Sequence, residues 1–386
     1  MMNRMKIENK ETKRIFYYDA LKALAIIGVI ACHVSAVFAK NMNILNTSGW
    51  IISVFFDCCR DFSIPIFVMV SGALLVNKDY SVITFIKKKF NRILIPYIFW
   101  AIMFILFALI TFSLGFSLGK VNHISLSFIY KTIFGYSGYG RVFWFVWMIL
   151  EVYIVLFILN KLIKRVNIKN FNLKIYKIIL ILFLIYNIIV TLKLFNPMDY
   201  TFIYYLSFTG YGILGYYLAK TDFTTTRFGK TLNITEKKIL IASFILSILF
   251  YIILILNTIT LTNNAGKYVT LSHFNIIKLI LATNIFLFFR YFEEYDGKII
   301  KSSYNKIKNG LSGRLINSLS KYSFGIYLSH MLIKNFYLIY VFNNINLRNH
   351  NPIKWIPFTL IITLITSWIL IWAMKKVPYI EKVSGA

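Results

Sequence analysis

The sequence predicts an all-α polytopic membrane protein, a single bundle of about ten transmembrane helices with both termini in the cytoplasm. Three observations carry this. Of 386 residues, 58% are hydrophobic and 15% charged, with 36 Phe and a mean hydropathy of +0.68, which excludes an ordinary soluble globule. Apolar runs near the ~20-residue length that spans a bilayer recur along the chain. The cations behind the net charge of +29 fall in short segments between those runs. Nucleic-acid binding needs them gathered on one soluble face, so their distribution speaks for membrane topology and against nucleic acid.

The apolar segments lie at 16 to 38, 48 to 76, 93 to 117, 142 to 160, 178 to 194, 201 to 219, 239 to 258, 274 to 292, 322 to 344 and 355 to 374. With the N-terminus inside, inner segments hold 31 of the 43 lysines and arginines and outer segments 7; Lys22, Arg60, Lys193, Lys278 and Lys334 fall within spans. This is the positive-inside bias. The N-terminal stretch lacks a small-residue cleavage site, so residues 1–15 stay attached as a cytoplasmic tail, with 375–386 as the other. One domain, 1–386, fills the chain, without an internal repeat. Cys32, Cys58 and Cys59 all sit in apolar segments and indicate neither a disulfide framework nor a metal site. The inner stretch 293–321 reads as a polar, basic loop near an anionic ligand or anionic lipid. The outer stretch 118–141, with Gly135, Gly138 and Gly140 among aromatics, suits a lid or an interfacial hairpin.

The first segment, FYYDALKALAIIGVIACHVSAVF, carries Asp19, Lys22 and His33. Ionisable groups at membrane depth are costly and mark functional sites unless protein supplies their partners. Lys22 and His33 are eleven residues apart, three helical turns, so they share a face about 16 Å apart. An imidazole can take a proton from a hydroxyl and return it to a leaving group; it can also simply pack between helices. Lys22 can bind an anion or snorkel to the headgroups, and Asp19 can pair with Lys22 on the helix. A cytoplasmic donor with a phosphate end and an arm of that reach, such as a coenzyme A thioester, fits the spacing.

Further candidates follow along the chain. Asp57, Arg60 and Asp61 lie within little more than one turn of the second segment. Either carboxylate can support His33, or the cluster can be a buried ion pair locking two helices. Pro65 and the Ser71–Gly72 pair allow a bend or close packing there. Lys87, Lys88, Lys89 and Arg92 stand at the inner end of the third span, where topology demands cations and nucleotide phosphates would suit them. Glu151 and Tyr153 lie within the fourth span, and Tyr327 and His330 one turn apart in the ninth, with His330 the second histidine candidate.

Asp-x-Leu-Lys followed by ten residues and His33, then FSIPIFVMVSGALL at 62–75, RILIP at 92–96, FWFVWMILEVYI at 143–154 and YSFGIYLSH at 322–330, resemble the acyltransferase-3 family of integral membrane acyltransferases over nearly the whole chain. The family pattern in the first helix is Arg, ten residues, His; here Lys22 takes the Arg position. Lysine keeps the charge but lacks the bidentate fork, which loosens any phosphate contact. The resemblance implies a ten-helix bundle passing acyl groups, most often acetyl from cytoplasmic acetyl-CoA, to hydroxyls of envelope glycans or lipid-linked sugars. By that analogy His33 is the essential residue and Lys22 a donor-site residue. In length, and in lacking an appended extracytoplasmic domain, the chain is similar to the enterobacterial-common-antigen O-acetyltransferase branch.

The expected function is therefore O-acyl transfer in a bacterial plasma membrane. His33 acts as general base or transient acyl carrier, Asp57, Asp61 and His330 as catalytic support, and Lys22, Lys88, Lys89 and Arg92 hold the donor. Asp19, Arg60, Ser71, Glu151, Tyr153 and Tyr327 surround the substrates. Acetyl-CoA or another acyl-CoA is a co-substrate, with no tightly bound cofactor and no metal. Membrane lipids surround the protein, and a homo-oligomer is allowed. A transporter or flippase of lipid-linked sugars is the main rival, since charged helices can also line a substrate path. A membrane sensor, in which Lys22 and His33 only transmit binding, is a third.

Overall fold

A computed structural model describes residues 14–76, 78–116, 125–136, 138–165, 171–195, 202–342 and 347–386; these form helices joined by turns and short connections, with no strand among them. In chain order the helices are α1 (Phe16–Ala39), α2 (Ser48–Asp57), α3 (Arg60–Leu75), α4 (Val82–Phe85), α5 (Asn91–Ser113), α6 (Leu126–Phe134), α7 (Trp144–Arg165) and α8 (Phe171–Thr191). They continue with α9 (Phe202–Ser207), α10 (Thr209–Lys220), α11 (Arg227–Thr231), α12 (Glu236–Ala265), α13 (Ile276–Glu294), α14 (Lys298–Asn309), α15 (Leu311–Phe336), α16 (Pro352–Lys376) and α17 (Glu381–Ser384). Most of the expected basic N-terminal tail, parts of the 118–141 and 161–177 connections, and residues 117, 201, 343 and 344 of predicted spans lie outside the described residues.

Six helices among the described residues are long and apolar enough to cross a membrane: Phe16–Ala39, Val82–Ser113, Gly140–Arg165, Lys174–Thr191, Glu236–Ala265 and Pro352–Lys376. The other four predicted segments are helical too, but broken or too polar for that description. The 48–76 run divides into α2 and α3 at a tightened turn, where the Cys59 and Asp61 amides bond three residues back, to Phe56 and Cys58. The 201–219 run divides at Phe208 into α9 and α10. The α13 helix carries buried Lys278 and Arg290, and the α15 helix buries His330 and Lys334.

The α1 helix lies at the centre, packed on α2, α3, α13, α15 and α16. Its apolar window is 67% buried, against 17% for α12, so α1 faces protein and α12 presents most of its surface outward. Close backbone approach sets the position of α3. A Cβ on Gly215 of α10 would lie 2.0 Å from the Met69 carbonyl oxygen, and one on Gly72 of α3 2.0 Å from that of Gly212. Small residues allow such contacts in membrane bundles, where dispersion replaces the hydrophobic effect as the cohesive force.

The 293–321 stretch, expected as a loop, is helical: α14 and the first turns of α15 occupy it. The reason is a buried aromatic on its inner face. Tyr304 packs edge-on against Phe16 at 5.9 Å and Phe292 at 6.0 Å, while Lys301 and Lys308 lie over its ring. In the 118–141 stretch, α6 ends at Gly135, whose φ of +71° is a left-handed cap, and the turn Gly138–Phe143 leads straight into α7.

Candidate active site

His33 stands in the second half of α1 and lines a cavity of about 500 Å³. Around it are Cys32 and Ala36 of α1, Asp57 at the end of α2, Arg60 and Phe67 of α3, Arg141 in the turn before α7, Trp144 and Phe145 at the start of α7, residues 270–273, and Tyr327 of α15. His330, fully buried, sets its ring 5.2 Å from that of His33. The His330 Nδ1 meets the Tyr327 carbonyl at 2.6 Å. A carbonyl only accepts, so Nδ1 carries the proton. The other nitrogen, Nε2, is buried without a hydrogen-bond partner among the described residues. Lys334 Nζ donates to the His33 carbonyl at 3.1 Å.

The charged cluster divides its work. Asp61 Oδ1 accepts from Lys278 Nζ at 2.6 Å, and the same ammonium donates to the Leu271 carbonyl at 2.7 Å. Asp61 is thereby tied to the 266–275 connection that walls the cavity. Asp57 Oδ2 accepts from the Tyr268 hydroxyl at 2.5 Å and meets Arg60 Nη1 at 3.3 Å. Its Oδ1 is buried with no partner among the described residues, and Asp57 is the carboxylate that lines the His33 cavity. His273 in the same connection stacks on Trp144 at 5.8 Å. Burial, with Lys278 nearby as the second cause, holds its imidazole down at about 3.

A second cavity, of about 200 Å³, is lined by Lys22, Ser71, Lys89, Arg92, Tyr153, Ser320 and Lys321 among others. It gathers cations, with no acidic side chain in its wall among the described residues, the arrangement that attracts an anion. Lys22 forms no ion pair among the described residues. Asp19, expected as its partner, instead pairs with Arg14 at 2.5 Å and accepts from Ser320 Oγ at 2.5 Å. A π-helical turn at Ile86–Phe90 turns Lys89 toward the cavity and leaves Lys87 and Lys88 exposed. The Tyr153 hydroxyl donates to Ser71 Oγ at 3.3 Å. Glu151 lines neither cavity, and its Oε1 is buried without a partner among the described residues.

Phe67, Phe145 and Tyr327 line both cavities. The structure thus brings His33, Asp57, Arg60 and Tyr327 together, with His330 behind, and Lys22, Lys89, Arg92, Ser71, Tyr153 and Tyr327 together at the other end; Lys88, Glu151, Asp19 and Asp61 stand outside both walls. Residues 15–372 match the model of a family described as an acyltransferase domain. The chain belongs to the acyltransferase-3 family. It is accordingly an acyltransferase enzyme, and its long apolar helices make it a membrane protein. No curated protein and no solved structure gave a significant match.

Sequence reasoning passed over Tyr268, His273 and the roles of Lys278 and Lys334. The two lysines did carry a signal, since an ammonium inside an apolar span requires a partner; which partner is a tertiary fact. Tyr268 and His273 lie in a short connection with no periodicity to mark them. Among the described residues no group of three or more His, Cys, Asp or Glu side chains is arranged to hold a metal ion.

Proposed function

We propose that this acyltransferase moves an acyl group, most simply acetyl, from cytoplasmic acyl-CoA to a hydroxyl of a cell-envelope polysaccharide or lipid-linked sugar in the plasma membrane. The observation that carries the reading is that Lys22 and His33, on one unbroken helix, line two adjoining cavities, one basic and one holding the imidazoles. Donor phosphates sit by Lys22, Lys89 and Arg92, and the acyl thioester reaches toward His33. The acceptor hydroxyl enters the His33 cavity, where Asp57 Oδ1, without a partner among the described residues, can accept a hydrogen bond from a neighbouring sugar hydroxyl.

The chemistry balances without further reactants. His33 takes the proton of the attacking hydroxyl as its oxygen bonds to the thioester carbonyl carbon. The C–S bond then breaks, and the imidazolium returns the proton to the leaving thiolate. A proton-bearing Nδ1 on His330 leaves Nε2 as an acceptor beside His33, suited to orient that ring.

Purified protein given radiolabelled acetyl-CoA and envelope glycolipid should release free CoA and label the glycolipid, and His33→Ala should do neither. Label retained on denatured protein without acceptor, and lost in His33→Ala, would instead assign a transient acyl-histidine. Movement of glycolipid across vesicles with no CoA release would favour a flippase and sink the reading.

A further inference from the structure

The two cavities lie side by side, and the three residues common to their walls are all aromatic. Phe67 comes from α3, Phe145 from α7 and Tyr327 from α15. The rings are in contact: the centroids of Phe67 and Phe145 are 6.0 Å apart and those of Phe145 and Tyr327 5.0 Å. Phe145 and Tyr327 are buried. Aromatic rings in such tilted contacts fill the space between helices while keeping freedom to turn about two side-chain bonds.

We propose that Phe67, Phe145 and Tyr327 form a closed aromatic gate between the basic cavity and the His33 cavity, which the arm of the donor must displace to bring its thioester to His33. The proposal rests on the acyl-CoA reading for what opens the gate, and on the geometry alone for the closure. Tyr327 is its fixed post, because its hydroxyl donates to the carbonyl of Val142, in the turn that leads into α7. Phe145, the second residue of α7, and Phe67 carry no polar atom to tether them, so they are the moving leaves. Closure has a physical purpose. A basic, hydrated cavity joined directly to one containing a general base would let water reach the thioester and ions cross the bilayer; three packed rings exclude both.

The test uses the full chain with Cys32, Cys58 and Cys59 replaced by Ala and one cysteine introduced by Thr270→Cys, a residue in the wall of the His33 cavity. A membrane-impermeant methanethiosulfonate is applied to vesicles of each orientation, without acyl-CoA. From the face on which the basic cavity opens, labelling should be slow in the parent and about tenfold faster in Phe145→Ala, equivalent to about 1.4 kcal/mol. From the opposite face the two should label alike. Phe67→Leu, which keeps a large apolar side chain, provides a second opening variant should Phe145→Ala fail to fold, with a smaller rise. Equal labelling from the basic face in parent and variants would overturn the gate, whatever the transfer assay gives. The expected labelling in a protein that releases no CoA would support the gate's closure and count against the acyl-CoA reading.

Discussion

The rings of His33 and His330 lie 5.2 Å apart and are inclined by 38°, across the contact between α1 and α15. The pair sets one imidazole on the cavity wall and a second, anchored through Nδ1 to the Tyr327 carbonyl, behind it. In the proposed role of general base, His33 would contribute about 10²–10⁴-fold to the rate. His33→Ala should therefore lower acyl transfer by at least that order. His330→Asn, which keeps an N–H for the Tyr327 carbonyl, should lower kcat and leave the KM for donor unchanged. CoA release measured against donor concentration checks both, and a His330→Asn enzyme with full kcat would leave His330 a packing residue.

The Lys278–Asp61 pair at 2.6 Å is fully buried. Removing Asp61 strands the Lys278 ammonium, which costs about 3–5 kcal/mol, whereas removing Lys278 leaves Asp61 its 3.3 Å pair with Arg60 Nε. Asp61→Ala should unfold well below the parent in a thermal melt in detergent, and Lys278→Ala should fall by less. The double variant Asp61→Leu with Lys278→Met should recover most of that loss. Single variants as stable as the parent would refute a structural role for the pair.

Lys22, free of any ion pair among the described residues, faces the basic cavity. A hydrogen bond to a charged group is worth about 1.5–3 kcal/mol, so Lys22→Ala should raise the KM for acyl-CoA about tenfold or more with a smaller change in kcat. Lys22→Arg restores the bidentate fork and should lower the KM below that of the parent. Lys89→Ala should behave like Lys22→Ala, whereas Lys88→Ala, on an exposed side chain outside the cavity, should leave KM unchanged. Equal effects at 88 and 89 would remove the meaning assigned to the π-helical turn.

Gly215 meets the Met69 carbonyl so closely that a Cβ would fall 2.0 Å from its oxygen. Gly215→Ala must push α10 from α3, an overpacking that costs about 1–3 kcal/mol. The melting temperature of the variant should fall, and because α3 carries Arg60, Asp61 and Phe67, transfer should fall with it. A variant as stable and active as the parent would mean that the two helices separate freely.

The sequence by itself determined what local geometry determines. Apolar runs of spanning length made the chain helical and membrane-bound, and eleven residues of α-helix put Lys22 and His33 three turns apart on one face, because helix hydrogen bonds join residues four apart and need no distant partner. The motifs around Lys22, His33 and 322–330 marked the family that the match over 15–372 then showed. Tertiary packing decided who meets whom. Asp61 finds Lys278 217 residues away, Asp57 finds Tyr268 211 residues away, and Lys334 reaches the His33 carbonyl across 301. Even the local Asp19–Lys22 pairing, three residues apart on α1, gives way to Arg14 and Ser320 as the partners of Asp19. A buried charge takes whichever partner the crossing of helices brings within reach, and the angle and depth of those crossings follow from side-chain fit along whole helices, which spacing in one of them cannot supply.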